Sequence, residues 1–165
     1  MKTPICGICL NSDMLCMACN KKLNEGIISE ADVRLARAVR TLASTFKVLE
    51  NITIKKVLEG STIIVMLCGR GDRPKLVGRE GVVINRLSKI MGKPVRVVEE
   101  TEDLKDFVKN IIHPVQLEGI NVVYTNEGET LKVLIPRSRN LPLPESSFRE
   151  IIKMVFGRNA VVAKA

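Results

Sequence analysis

The stretch Val77-Gly78-Arg79-Glu80-Gly81-Val82-Val83-Ile84 is the most informative segment of this chain. It places a Gly-x-x-Gly turn between an apolar run and a segment whose apolar residues have helical spacing. Two glycines three positions apart permit backbone angles that a Cβ would hinder, and they let the backbone approach a ligand closely. Because the turn opens a helix, unpaired amides and the positive end of the helix dipole point toward it. This geometry suits a phosphodiester backbone.

The flanks of the turn are strongly basic. Between Arg70 and Arg96 there are eight cations and two acids, so this window carries +6 of the chain's net charge of +8. Charge alone would also fit a solvated face with no ligand. Its concentration around a glycine turn that opens a helix favours a face that binds a polyanion.

The elements around the turn follow from pattern. Ser29 and Asp32 predict a capped helix over residues 30–47. Alternation and β-rich composition predict strands over 51–58 and 61–68, the second buried on both faces. A short helix over 75–77 and the glycine turn come next. A helix with Val83, Leu87 and Ile90 on one face then ends at Gly92, and a strand follows over 95–98.

Residues 30–98 resemble a type II KH domain, an RNA-binding fold. The segment VGREGVVINRLSKIMGKPVRVVE (residues 77–99) is similar to the turn, helix and strand of the KH domains in NusA and its archaeal relatives. The resemblance implies that the Gly-x-x-Gly loop clamps the backbone of about four nucleotides. It further implies an RNA-contact surface, whose predicted members are Arg73, Lys75, Gly78, Arg79, Glu80, Gly81, Val82, Val83, Arg86 and Lys89. With Ile84 and Leu87, the two valines would form the apolar floor for the bases.

The second half of the chain repeats the same order of elements. The pattern predicts a helix over 102–112, strands over 115–124 and 130–135, a helix over 145–156 and a strand over 160–163. Where a second Gly-x-x-Gly would lie, the chain has Asn140-Leu141-Pro142-Leu143-Pro144. Proline donates no backbone amide, so this half is predicted to be a degenerate KH-like module. A packing platform and a second, purely electrostatic RNA contact are both open roles for it.

Four of the five cysteines form two Cys-x-x-Cys pairs. Cys6 and Cys9 are followed, after six residues, by Cys16 and Cys19. Two such pairs supply four thiolates, the closed tetrahedral set of a structural zinc site. A ferredoxin cluster has different spacing, and a redox Cys-x-x-Cys does not come as a close double pair. Two interlocking disulfides are the rival hypothesis, but they need an oxidising compartment, and no signal peptide is recognisable.

Other features of the sequence argue against several classes of protein and of site. No run of about 18 apolar residues exists, so no membrane span is expected. Aromatic residues make up only 3% of the chain, which argues against base stacking on an aromatic platform. Cys68 lies in an apolar run and is expected to be an inert buried thiol. His113 is the lone histidine, placed at a predicted helix end, so no catalytic arrangement can be built around it.

We therefore predict an α+β protein, not an enzyme, with two tandem type II KH-like modules after a small zinc-binding knuckle. The predicted divisions are 1–25 for the knuckle, 26–100 for the KH domain and 101–165 for the degenerate module. The predicted function is single-stranded RNA binding in transcription elongation or termination, in the cytoplasm, with RNA polymerase as an expected partner. The alternatives are a ribosome-associated or RNA-processing factor that binds rRNA on a ribosomal subunit, and a protein-interaction adaptor that uses the knuckle.

Overall fold

The computed structural model describes residues 1–165 and divides into two compact units, Met1–Glu100 and Thr101–Ala165. The first unit contains five helices and three strands: α1 (Gly7–Leu10), α2 (Met17–Asn24), α3 (Glu30–Leu42), β1 (Ile54–Glu59), β2 (Ile64–Cys68), α4 (Arg73–Val77), α5 (Val82–Met91) and β3 (Val95–Glu99). The second contains two helices and three strands: α6 (Leu104–Ile112), β4 (Gly119–Thr125), β5 (Gly128–Ile135), α7 (Glu145–Phe156) and β6 (Asn159–Lys164). The predicted α+β class is confirmed.

The sheet of the first unit has the strand order β1-β2-β3. β2 pairs antiparallel with β1, with Val57 opposite Met66, and parallel with β3, where Met66 lies opposite Val97. Four of the five residues of β2 are buried, as the apolar run predicted for a strand covered on both faces. Leu35 of α3 and Leu87 of α5 belong to the same core as these strands.

The start of α3 is held by reciprocal side-chain bonds. The backbone N–H of Asp32 donates to Ser29 Oγ over 3.2 Å, and the N–H of Ser29 donates to Asp32 Oδ2 over 2.8 Å. This is the predicted capping box. Asp32 is also buried, and its Oδ1 accepts a 2.7 Å bond from the N–H of Val57, which ties the helix start to β1.

Two predicted boundaries of the first unit are wrong around residue 47. α3 ends at Leu42, a 3-10 turn occupies Lys47–Asn51, and β1 begins at Ile54. The chain leaves the helix because Phe46 turns back to pack against the core. The sequence pattern had placed Phe46 on the helix face, since its spacing from Leu42 is helical.

The helices on either side of the glycine turn also differ in detail from those predicted. α4 starts at Arg73 and includes Pro74 in its first turn, where a missing N–H breaks no helical bond. α5 ends at Gly92 in the left-handed conformation, as predicted. Ile90 is 52% exposed, so its assignment to the buried face is wrong, and Met91 takes that place. The buried series is Val83, Leu87 and Met91, which share one face at intervals of four.

The second unit repeats the sheet pattern. β5 pairs antiparallel with β4 and parallel with β6. α7 has its predicted bounds and ends at Gly157 in the left-handed conformation. The core of the second unit includes Phe107, whose ring meets the Phe156 ring edge-on with centroids 5.3 Å apart.

The outer boundaries of the second unit are shifted from those predicted. Asp103 caps α6 by accepting the N–H of Lys105, so the helix starts at Leu104 and not at 102. β4 starts at Gly119, four residues after the predicted start at 115. β6 is one residue longer at each end than the predicted strand.

The cysteine knuckle (residues 1–25) lies within the first unit. Its buried residues Ile5, Leu10 and Cys19 form a small apolar cluster with Val33 and Ala36 of α3. The knuckle is therefore packed on α3 through apolar contacts. Among the helices of the chain, none is long and apolar enough to cross a membrane.

Candidate nucleic-acid interface and metal site

Three residues of the Gly-x-x-Gly turn have positive φ angles. Gly78 ends α4 with φ +79°, Glu80 has φ +56° and Gly81 has φ +75°. A Cβ on Gly78 would lie 2.6 Å from Val83 Cγ2, a distance that real atoms do not tolerate. The N–H of Gly81 donates to the Gly78 carbonyl over 3.2 Å and closes the turn. The turn therefore has one geometry, and glycine at 78 is required for it.

The turn presents its charged residues to solvent. Arg79 and Glu80 are exposed, while Gly78 and Gly81 are half-buried. Gly81 is the N-cap of α5 and offers no side chain to the first-turn amides. The amides and the positive end of the α5 dipole thus lie beside an exposed arginine, an arrangement that attracts an oxyanion.

Arg86 and Lys89 extend this basic surface along α5, and both are exposed. The Arg86 guanidinium lies over the Phe46 ring, with Cζ 5.3 Å from the ring centroid. A cation held on a ring face in this way gains about 0.5–1 kcal/mol at an exposed site and loses rotamer freedom before any ligand arrives. The sequence alone does not indicate this role of Phe46, because a contact between residues 40 positions apart leaves no local pattern.

Arg73 and Lys75 are engaged with the protein itself. Arg73 Nε donates to the Val97 carbonyl over 3.2 Å. Lys75 Nζ donates to the Asn51 carbonyl over 3.2 Å and pairs with Asp72 at 3.5 Å. These bonds anchor α4, so both cations support the turn more directly than they offer charge to a ligand.

The predicted apolar floor is smaller than the sequence indicated. Val83 is 1% exposed and Leu87 is fully buried, so the core already covers both side chains. The side chain of Val83 packs beneath Gly78 and is not accessible at the surface predicted to contact RNA. Val82 and Ile84 are partly buried against the core and are the apolar residues that remain accessible beside the turn.

The loop before α7 has no counterpart of the glycine turn. Pro144 is the N-cap residue of α7, and no residue from 137 to 144 has a positive φ. Lys164 Nζ donates to Asn140 Oδ1 over 3.0 Å and fixes the loop to β6. Two cations of this unit are also engaged, since Arg137 donates to the Ala165 carbonyl and Arg149 pairs with Glu145, each over 2.7 Å.

The four knuckle cysteines converge on one point. Their Sγ atoms all lie within 4.8 Å of one another, with Cys6 3.5 Å from Cys9 and 3.8 Å from Cys16. Zinc–sulfur bonds of about 2.3 Å in a tetrahedron place sulfurs about 3.8 Å apart. Cys6 and Cys16 are the N-caps of α1 and α2, so each pair straddles the start of a helix. The donor set fits a single tetrahedral metal ion.

Backbone amides surround the cluster. The N–H of Cys16 donates to Cys9 Sγ over 3.0 Å, and the N–H of Cys6 donates to Cys19 Sγ over 3.4 Å. Hydrogen bonds with Cys9 lower the pKa of Cys6 to about 6, and the bond with the Cys9 backbone has a larger effect than the bond with its thiol. The N–H of Cys16 lowers the pKa of Cys9, but burial and the bonds with the three neighbouring thiols outweigh it and raise that pKa to about 12. Without a cation the four thiols share protons, whereas a divalent metal ion stabilises four thiolates.

Cys68 stands apart from this cluster. It is fully buried in β2. Burial, with the nearby carboxylates of Glu99 and Asp72, raises the pKa of its thiol to about 12. Because the thiolate is the reactive species, this cysteine is chemically inert at neutral pH.

Comparisons with known proteins point to one group. No protein-family model matches the chain. It is 35% identical over 57 residues to the "Probable transcription termination protein NusA" of Methanococcus vannielii, a match that covers 34% of this chain and 33% of that protein. It is 24% identical over 90 residues to the protein of the same name from Methanocaldococcus jannaschii, covering 54% of this chain and 49% of that protein. The chain thus spans a third to a half of the length of these curated relatives.

Among solved structures, the chain resembles one titled "Crystal structure of APE1850". The TM-score is 0.58 at 22% identity, and the match covers 78% of this chain and 96% of that one. At this identity the likeness concerns the fold. The two partial sequence matches are a similarity to archaeal NusA-like proteins over part of their length.

Proposed function

We propose that this protein binds single-stranded RNA as a NusA-like factor in transcription elongation or termination. Its curated relatives carry the name of a transcription termination protein. The observation that carries the proposal is the exposed Gly-x-x-Gly turn, whose backbone angles leave only hydrogen at Gly78 and which opens α5 with no side-chain cap.

In the proposed complex, the RNA backbone lies against Gly78 and Gly81, where the absence of a Cβ permits close approach. Arg79 pairs with a phosphate, and the first-turn amides of α5 donate to its oxygens. Arg86, already seated on Phe46, and Lys89 pair with the next phosphates along the helix. Val82 and Ile84 supply the apolar contact for bases.

Residues 26–100 of the first unit and residues 101–165, the second unit, are proposed to be tandem type II KH-like modules, of which the second is degenerate. From α3 onward the first unit has the order helix, strand, strand, two helices, strand, and the second has the order helix, strand, strand, helix, strand. Both sheets combine one antiparallel with one parallel pairing. The second lacks the glycine turn, so its proposed roles are packing and electrostatic attraction of RNA through its exposed cations.

The cysteine knuckle is proposed to hold one structural Zn²⁺ through Cys6, Cys9, Cys16 and Cys19. The ion would supply folding energy to a segment too short to bury a core of its own. Four thiolates leave no coordination position for substrate, so a structural role, and not an enzymatic one, is proposed. RNA polymerase is the proposed protein partner, in the cytoplasm.

The test replaces Arg79 and Glu80 together with aspartate and measures affinity for an unstructured RNA at fixed salt. Aspartate tolerates the left-handed conformation at position 80, and both residues are exposed, so the fold should persist. We expect RNA binding to be abolished, because two acids now face the phosphates.

Lys21→Asp is the matched control, since it also changes the net charge by about two and lies on exposed α2. Its ion pair with Glu25 is exposed and contributes little to stability. Unchanged RNA affinity in the Arg79/Glu80 double variant would refute the proposal. Co-purification with RNA polymerase and not with ribosomal subunits would support the transcriptional role.

A further inference from the structure

A polar pocket lies between the cysteine knuckle and the C-terminal half of α3. Its volume is about 500 Å³. One wall is the knuckle loop Asn11, Ser12 and Asp13, and the other includes Arg37, Arg40 and Ser44. The pocket is distinct from the glycine turn and from the four sulfurs, and the proposed function makes no use of it.

Arg37 is the central residue of this pocket. Its Nε donates to the Cys9 carbonyl over 3.2 Å, which fixes the guanidinium against the knuckle. A second nitrogen of the same guanidinium, Nη2, is buried and has no hydrogen-bond partner. Buried donors are almost always paired in native proteins, and a charged donor without an acceptor is especially costly. The site therefore lacks an acceptor, and an anion is the best acceptor for a guanidinium.

The other groups around the pocket are chiefly donors. Arg40 Nε donates to Asn11 Oδ1 over 2.9 Å, which leaves the rest of its guanidinium at the pocket wall. Lys47 also lines the pocket and pairs with Glu50 at 3.8 Å. Asp13 is the second acid. Three cations thus face two acids, and one of the acids is already neutralised by Lys47.

We propose that this pocket binds a phosphate group, either a phosphate of an RNA backbone or a free phosphate ion. The hydroxyl of Ser12, which only accepts a bond from the Met14 N–H, adds a neutral donor beside the two arginines, whereas the Ser44 hydroxyl already donates to the Thr41 carbonyl over 2.8 Å. Because the unpaired Arg37 nitrogen is covered in the resting structure, binding includes a small rotation of its guanidinium toward the pocket. Phosphate forms bidentate pairs with arginine, and a pocket of about 500 Å³ has room for it.

The RNA form of this proposal rests on the proposed function. Ser44 lines the pocket, and Phe46, two residues farther along the chain, carries Arg86 of the basic surface on α5. A strand clamped at the glycine turn and guided by Arg86 would therefore find the pocket close to its path. The knuckle would then contribute to RNA binding by walling a phosphate site.

The experiment uses the full metal-loaded chain and two probes, inorganic phosphate and an unstructured RNA. Phosphate is added at constant ionic strength while the Nε–H signals of Arg37 and Arg40 are followed by NMR. Ser44→Glu places an acid at the pocket, whereas Thr45→Glu adds the same charge at an exposed neighbour that does not line it. Arg37→Met is a second pocket variant, and Asp13→Asn removes the one acid that has no cation partner.

We expect phosphate to shift both arginine signals, and Ser44→Glu to weaken phosphate binding at least about tenfold relative to Thr45→Glu. Asp13→Asn should strengthen it. If the ligand is RNA, Ser44→Glu also reduces the salt slope of RNA binding by about 0.7, the value for one phosphate of a single strand. If RNA affinity is unchanged while the phosphate shifts persist, the ligand is a free phosphate.

The proposal is overturned if neither phosphate binding nor RNA affinity differs between the two glutamate variants and Arg37→Met leaves both unaltered. Should Ser44→Glu fail to fold, Arg37→Met decides the outcome by the same two readouts. Loss of the proposed function would look different, since the Arg79/Glu80 double variant would then keep its RNA affinity while phosphate still shifted the Arg37 signal.

Discussion

At the scale of single residues, glycine is required at the two ends of the turn for different reasons. Gly78 combines φ +79° with ψ 174°, a region that only glycine occupies readily, and Val83 Cγ2 would lie 2.6 Å from an added Cβ. Gly81 has φ +75° and ψ 17°, where an added Cβ would have no neighbour closer than 3.6 Å. Position 78 is therefore restricted by both backbone and packing, and position 81 by backbone alone.

Gly78→Ala should lower the free energy of unfolding of the first unit by about 3 kcal/mol, through backbone strain together with overpacking against Val83. Gly81→Ala should cost only about 1 kcal/mol, because the left-handed conformation is its sole penalty. Urea unfolding followed by the amide signals of β2 measures both. Equal midpoints for the two variants would contradict the steric argument.

At the scale of secondary-structure elements, α3 depends on one buried carboxylate. Asp32 is 2% exposed and accepts bonds from the Ser29 and Val57 amides and the Ser29 hydroxyl. The same side chain thus caps the helix and satisfies a strand amide. Helix and strand are fixed in register by a group that either element alone would leave partly unpaired.

Asp32→Ala should therefore destabilise the first unit by about 3 kcal/mol, since it removes the reciprocal bond from the Ser29 amide and leaves the Val57 amide without an acceptor. Ser29→Ala should cost about 1 kcal/mol, because it removes the cap bond alone. Thermal unfolding by circular dichroism compares the two. A loss no larger for Asp32→Ala than for Ser29→Ala would show that the bond to β1 is unimportant.

The knuckle helices are too short to persist unaided. α1 has four residues and α2 has eight, well below the length at which isolated helices are stable in water. Their apolar cluster with α3 is small. The proposed metal ion is therefore the main source of their order.

Removal of the metal with a strong chelator should disorder residues 1–25 while the sheet β1-β2-β3 stays folded on its separate core. Amide signals in a two-dimensional NMR spectrum would report the two regions separately. Refilling with Co²⁺ should give thiolate charge-transfer absorption at one equivalent per chain, and Cys16→Ser should weaken it. Retention of all knuckle signals in the metal-free chain would contradict this prediction.

At the scale of the whole molecule, charge is concentrated on the first unit. Four of its exposed cations lie on the glycine turn, on α5 and in the turn after β2: Arg79, Arg86, Lys89 and Arg70. Each phosphate neutralised on a single strand releases counterions and contributes about −0.7 to the slope of log affinity against log salt concentration. Four contacts would give a slope of about −3.

The dissociation constant for an unstructured RNA should thus rise about fiftyfold between roughly 50 and 200 mM monovalent salt. Arg86→Gln should reduce the magnitude of the slope by about 0.7, while the Lys21→Asp control should change it little. Fluorescence anisotropy at several salt concentrations measures both quantities. A slope near zero would instead favour the protein-adaptor hypothesis.

Much of the fold could be predicted from local signals. Capping at Ser29, the left-handed stops at Gly92 and Gly157, and the bounds of α7 were all predicted correctly. Each depends on residues within about four positions of one another, so the signal is present in the sequence itself. The spacing of the four cysteines likewise predicts that they cluster, and in the structure their sulfurs lie within metal-binding distance of one another.

The wrong predictions concern positions where contacts with residues distant in the sequence determine the structure. α3 stops at Leu42 because the core draws Phe46 inward, and Val83 is unavailable because Gly78 packs upon it. The bonds that occupy Arg73 and Lys75 come from Val97 and Asn51, more than 20 positions away. No window of sequence contains both partners of such contacts.

The order of elements and the glycine turn are encoded locally, because they follow from backbone preferences and short-range hydrogen bonds, and the cysteine spacing is read directly from the chain. The exposure of each cation, the burial of Val83 and the position of Arg37 in a pocket beside the knuckle are visible only in the folded chain. Burial and long-range pairing depend on the packing of the whole unit, which single residues and their neighbours do not encode.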